Sequence, residues 1–167
     1  MRRIVIFGNS GSGKSTFAQH MCEKHNIAHL DLDTLAWQDT QPPTRKPIDV
    51  SHNKINQFIN AYPNWVIEGC YSDLIEYVLP KSNEIYFLNL SIEACIENAK
   101  KRPWEPHKYD TKALQDANLS MLIDWIKEYP NRNDEFSLKA HQKLFNEYGG
   151  TKHMYENNIE IKPYFKR

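Results

Sequence analysis

Apolar residues fall in short continuous runs, with broader helical stripes between them. Ile4-Val5-Ile6-Phe7 is unbroken rather than alternating, so Arg3 to Phe7 reads as a strand buried on both faces. Lys14 to about His25 follows as a helix, with Phe17, Met21 and Cys22 on one side. Ala28 to Leu32, Trp65 to Glu68 (bounded by Pro63 and Gly69) and Glu84 to Leu90 read as further strands. Helices are predicted at Val50 to Ala61, Tyr71 to Leu79 and Ile92 to Lys101. Strands alternating with helices predict an α/β domain with a mostly parallel sheet.

The last third of the chain changes character. Thr111 to Tyr129 and Asp134 to Tyr148 are helical stretches joined by Pro130-Asn131-Arg132-Asn133 and ended by Gly149-Gly150. Leu114, Met121, Leu122, Trp125 and Tyr129 recur at helical spacing and read as a core stripe rather than a cofactor site. A fifth strand is predicted between Thr151 and Ile161, its register open. Gln38 to Pro47, with three prolines, reads as a surface excursion.

The 167 residues fit one domain. Lys+Arg and Asp+Glu are both 21, so no basic excess draws the chain to nucleic acid or to an anionic membrane. Apolar runs such as Ile4 to Phe7 and Trp65 to Ile67 are too short to span a bilayer, and Met1-Arg2-Arg3 lacks the apolar stretch of a signal peptide. Cys22, Cys70 and Cys95 are odd in number and form no CxxC pair, which excludes a disulfide framework and suits a reducing cytoplasm.

Glycine carries the first chemical signal. Gly8-Asn9-Ser10-Gly11-Ser12-Gly13-Lys14-Ser15-Thr16 matches G-x-x-x-x-G-K-[ST] between a predicted strand and a predicted helix. Glycines let successive N–H groups face inward around a phosphate, and the helix N-terminus adds its positive end. In this pattern Lys14 reaches the β- and γ-phosphates of ATP and the Ser15 hydroxyl ligates Mg²⁺. Glu68, at the end of the third predicted strand, is the acid expected to face that cation. Asp31 and Asp33 lie two apart at a strand end, so period two turns both carboxylates to one face. Asp31 is the candidate for Mg²⁺ or its waters, and Asp33 the candidate to take a proton from an acceptor hydroxyl. An N-cap role for Asp33, before Thr34-Leu35-Ala36-Trp37, stays open.

These segments together resemble the adenylate-kinase-like P-loop kinases, and within them the flagellar topology modulation proteins. The resemblance rests on Gly8 to Ser15, Leu30-Asp31-Leu32-Asp33-Thr34-Leu35-Ala36-Trp37, Trp65-Val66-Ile67-Glu68-Gly69-Cys70-Tyr71-Ser72 and Tyr129-Pro130-Asn131-Arg132. It implies a P-loop NTPase three-layer sandwich in a single kinase-like domain over residues 1–167, with a five-stranded sheet and a helical lid and C-terminal region. An acceptor-side insertion at about 34–62, a lid at about 102–112 and ATP-Mg²⁺ binding follow from it. Where related kinases carry an arginine after the third strand, this chain has Asp73, and where they carry one in the lid helix it has Asn98. Between Arg3 and Arg102 the only arginine is Arg45. Arginine is the residue suited to bidentate phosphate recognition, so a nucleoside monophosphate acceptor is disfavoured against a small hydroxylated or cationic one.

Lys100-Lys101-Arg102-Pro103-Trp104-Glu105-Pro106-His107-Lys108-Tyr109 reads as a basic flap. Arg102 is its candidate catalytic cation and Arg132 a second one. His107 and His141 read as ordinary polar histidines, neither having a second ligand at metal spacing. Asn89-Leu90-Ser91 lacks the Lys and Asp of a guanine-reading motif. The expected function is an ATP- and Mg²⁺-dependent small-molecule kinase. The alternative is an ATP-binding regulator or ATPase without an acceptor.

Overall fold

A computed structural model describes residues 1–165. Five strands form one sheet in the order β2-β3-β1-β4-β5. They are β1 (Arg3–Gly8), β2 (Ala28–Asp31), β3 (Trp65–Gly69), β4 (Glu84–Leu88) and β5 (Thr151–Tyr155). Every pairing is parallel, so the sheet is wholly rather than mostly parallel. The fifth register, left open by the sequence, pairs Glu84 with Thr151 and Leu88 with Tyr155.

Alternate residues of β1 explain the three layers. Val5 and Phe7 face one core with Ile67, Ile85 and Phe87, roofed by α3 (Ile48–Ala61), α4 (Ser72–Val78) and α7 (Leu138–Glu147). Ile4 and Ile6 face the other with Val66, Tyr86 and Leu88, covered by α1 (Lys14–His25), α5 (Ile92–Lys100) and α6 (Lys112–Lys127). Ile4 through Phe7 are fully buried, as the unbroken apolar run requires. Two short helices, α2 (Asp33–Ala36) and α8 (Asn158–Ile161), complete the fold. Among the described residues no helix is long and apolar enough to cross a membrane.

Two expectations need correction. The stripe on α6 is not core along its length: Leu114 is 54% exposed, Met121 67% and Trp125 37%, while Ile126 and the following Tyr129 are buried. The last predicted helix begins at Leu138 rather than Asp134. Asp134 accepts from the Phe136 N–H in a turn, and the Ser137 hydroxyl caps Ala140.

Candidate active site

The first strand ends in the glycine-rich loop that the sequence reads as a phosphate cradle. At Gly11 (φ +77°) a side chain would drive into the Cys95 carbonyl of α5, and at Gly8 into the Leu88 carbonyl. Both positions therefore need glycine for close approach as much as for conformation. The loop is unevenly exposed. Gly8, Asn9 and Ser12 are buried behind it. Ser10, Gly11, Gly13, Lys14, Ser15 and Thr16 line a cavity of about 620 Å³. Asn9 donates its side-chain amide to the Ile126 carbonyl, tying the loop to α6 (3.3 Å). Asn98 donates to the Gly11 carbonyl (2.9 Å), so the residue standing at the missing lid arginine braces the loop. Lys14 rests its ammonium on the Asn9 carbonyl at 2.8 Å, close to where a phosphate would take it.

Parallel register brings the acids to the same end of the sheet. Asp31 pairs with Glu68 across β2 and β3, and Ile6 of β1 pairs with Glu68 in turn. Glu68 is 1% exposed and its Oε1 accepts from the Ser15 hydroxyl at 2.9 Å. His29 Nε2 lies 3.2 Å from the same oxygen. Two hard oxygens side by side at the mouth of the phosphate loop suit a Mg²⁺ that completes its shell with phosphate and water. That chemistry needs no dedicated protein cage, and none of three or more His, Cys, Asp or Glu exists among the described residues.

Asp31 ends β2 and Asp33 opens α2, so they do not share a strand face; their carboxylates nonetheless meet at Lys108, and each has one oxygen already engaged. Asp31 Oδ1 accepts from the Asp33 N–H at 2.9 Å, and Asp33 is the first residue of α2 rather than its N-cap, a position held by Leu32. Asp33 Oδ1 accepts from the Tyr71 hydroxyl, which itself accepts from Trp37 Nε1 at 2.7 Å. The two remaining oxygens meet Lys108 from the lid segment: 2.8 Å from Asp33 Oδ2 and 3.4 Å from Asp31 Oδ2. Burial raises the Asp33 carboxyl, but Lys108 and the Tyr71 hydroxyl outweigh it and hold Asp33 below the usual carboxylate range. Burial, with Glu68 and Asp33 beside it, pushes Asp31 the other way. Burial disfavours the Lys108 ammonium, and the two aspartates more than reverse that.

Arg102 lines the cavity and pairs loosely with Glu105 at 3.4 Å. His107 also lines it, whereas His141 is fully buried. His141 donates from Nε2 to the Cys70 carbonyl (2.8 Å) and accepts from Tyr129 at Nδ1 (2.6 Å), fixing the turn after β3. Arg132 does not line the cavity. Its guanidinium stacks 3.2 Å over the Trp125 ring and donates to the Trp125 carbonyl. Arg45 is also committed elsewhere, ion-paired to Asp73 and Glu135 and packed among Trp37, Tyr71 and Phe136. Sequence reasoning missed Tyr71 and Lys108 as site residues. Their only signals were a tyrosine just past a strand-ending Glu-Gly and a lysine inside the flap.

No family model matches the chain, and no curated protein does. Solved structures do. Over 98% of this chain and 90% of its own, a sugar kinase from Janibacter sp. superimposes with a TM-score of 0.58 at 12% identity. A shikimate kinase from Bacteroides thetaiotaomicron gives 0.51 at 16%, covering 98% and 93%. A deoxyadenosine kinase from M. mycoides with bound dATP gives 0.50 at 14%, covering 96% and 94%. The fold is that of the P-loop kinases. At these identities the likeness extends to the fold alone.

Proposed function

We propose that the protein is an ATP- and Mg²⁺-dependent phosphotransferase acting on a small hydroxylated acceptor. The observation that carries this reading is the single cavity in which Lys14, Ser15 and Glu68 of the phosphate side face Asp33 of the acceptor side. In this reading the loop N–H groups and Lys14 hold the β- and γ-phosphates. Ser15 and Glu68 hold Mg²⁺, with Asp31 adding its charge beside Glu68. Held by Ser15 and Glu68, the metal would supply positive charge beside the transferring phosphoryl group. The acceptor hydroxyl oxygen attacks the γ-phosphorus, the bond to the ADP oxygen breaks, and the hydroxyl proton passes to Asp33. Arg102 approaches with the lid at 102–112 and excludes water. Arg132 reaches the phosphoryl group only if the turn after α6 moves off Trp125. The sequence motifs that resemble the flagellar topology modulation proteins follow the same order as these parts.

A second reading is a nucleotide-binding regulator, favoured by Arg132 on Trp125 and by Arg102 on Glu105. ADP release from ATP-Mg²⁺ across a panel of hydroxylated metabolites separates the two. Stimulation by at least one acceptor is expected; ATP binding without stimulation by any selects the regulator.

A further inference from the structure

The Lys108 ammonium sits where two carboxylates have been prepared for a cation. Asp31 Oδ1 and Asp33 Oδ1 are each occupied, by the Asp33 N–H and the Tyr71 hydroxyl. These contacts fix both carboxylate planes, and the free Oδ2 atoms converge on one nitrogen at 3.4 and 2.8 Å. Glu105 Oε1 approaches the same nitrogen at 3.9 Å. Lys108 belongs to the segment between α5 and α6, outside any helix or strand, so the group filling the seat can withdraw with its loop. The floor it would leave carries Asp31, Asp33 and, alongside, Glu68. That floor repels an anionic acceptor. Arg45 offers it no relief, being held by two acids and three rings.

We infer that the acceptor is an amino alcohol or amino sugar whose protonated amine takes the place of the Lys108 ammonium between Asp31 and Asp33. Lys108 is then an internal stand-in whose single charge offsets part of the carboxylate pair until the acceptor arrives. The amine anchors the molecule, and a neighbouring hydroxyl is the group that receives the phosphoryl in the reaction above. A neutral polyol can hydrogen-bond to both carboxylates but brings no positive charge to offset either. This substrate class rests on the phosphotransferase reading for its chemistry, though the ammonium seat does not.

Matched pairs test it: ethanolamine against ethylene glycol, and glucosamine against glucose, titrated by calorimetry into the wild-type chain and into Lys108→Met. The amine member of each pair is expected to bind about tenfold more tightly, the effect of one charge-assisted contact. Lys108→Met, which removes the competitor, should tighten the amines by a similar factor and leave the neutral partners unchanged. If Lys108→Met fails to fold, the wild type and Lys108→Arg still report the preference between members of a pair. Equal binding of both members, or binding of neither, overturns the inference. ADP release with the same compounds keeps the two proposals apart. Turnover of neutral polyols alone sinks the ammonium seat and leaves the kinase standing; tight amine binding without any phosphorylated product does the reverse.

Discussion

Tyr71 donates its phenolic hydrogen to Asp33 Oδ1 at 2.5 Å, across 38 residues of sequence. One bond thereby joins the turn after β3, just past Glu68, to Asp33 at the start of α2, just past β2. Behind Tyr71, His141 holds the Cys70 carbonyl, so the donor is positioned from α7 as well. The Asp33 carboxylate is thus held in one orientation by the chain itself, the positioning that the proposed reaction would use.

Tyr71→Phe is therefore expected to lower acceptor-dependent turnover by about 10- to 100-fold, by releasing the Asp33 carboxylate from its fixed plane. Stability should fall by about 1 kcal/mol, the net value of one ordinary hydrogen bond. Calorimetry should find ATP affinity unchanged. A Phe variant with full turnover would remove Tyr71 from the acceptor side.

Lys14→Ala should remove most ATP affinity while the protein stays folded, since the ammonium is half-buried and hydrogen-bonds to the Asn9 carbonyl rather than to the core. The expected loss is about 2–5 kcal/mol of nucleotide binding. Isothermal titration with ATP-Mg²⁺ and a thermal melt read both halves; undiminished binding in a folded variant would sink the phosphate-cradle reading.

Asp33→Asn keeps size and one acceptor oxygen but loses the charge. Acceptor-dependent turnover should drop by about 10²–10⁴-fold if the carboxylate takes the hydroxyl proton. Asp33 does not cap α2, so a merely structural effect would not reproduce that drop. Steady-state kinetics with ATP saturating measures it, and a variant of wild-type activity would move the base to Asp31.

His141 supplies a pH signature. Burial, which outweighs the Cys70 carbonyl it donates to, lowers it from 6.5 to about 4. The unfolded chain takes up this proton near pH 6.5, and the folded chain resists it down to about 4. The stabilising contribution of the neutral ring is thus complete above 6.5 and fades as pH falls through that window. Its steepest slope is about 1.4 kcal/mol per pH unit. Urea midpoints across that range should show the slope in the wild type and its loss in His141→Gln; equal slopes would assign the effect to other groups.

The fold was legible because its signals are local. An apolar run, a glycine-rich turn and a helix announce the phosphate loop within the first 25 residues, and the structure keeps those bounds nearly residue for residue. The α6 stripe was not, because periodicity identifies a face without saying whether anything covers it. Leu119, Leu122 and Ile126 turn to the sheet-side core, while Leu114, Met121 and Trp125 fall on the face of α6 that is left exposed. Asp31 and Asp33 were singled out by strand period two, but β2 stops at Asp31, and it is the turn into α2 that brings the two carboxylates together. The donor from Tyr71 and the ammonium from Lys108 were not, since both arrive from other elements across long sequence separations.

Arg45 has a consequence for how the molecule must move. Ion pairs to Asp73 near the start of α4 and to Glu135 ahead of α7, with the ring of Tyr71 beneath the guanidinium, pin the proline-rich excursion to the body at one point. The 38–47 loop is thereby part of the chassis. A motion that shifted it would have to break two ion pairs at once.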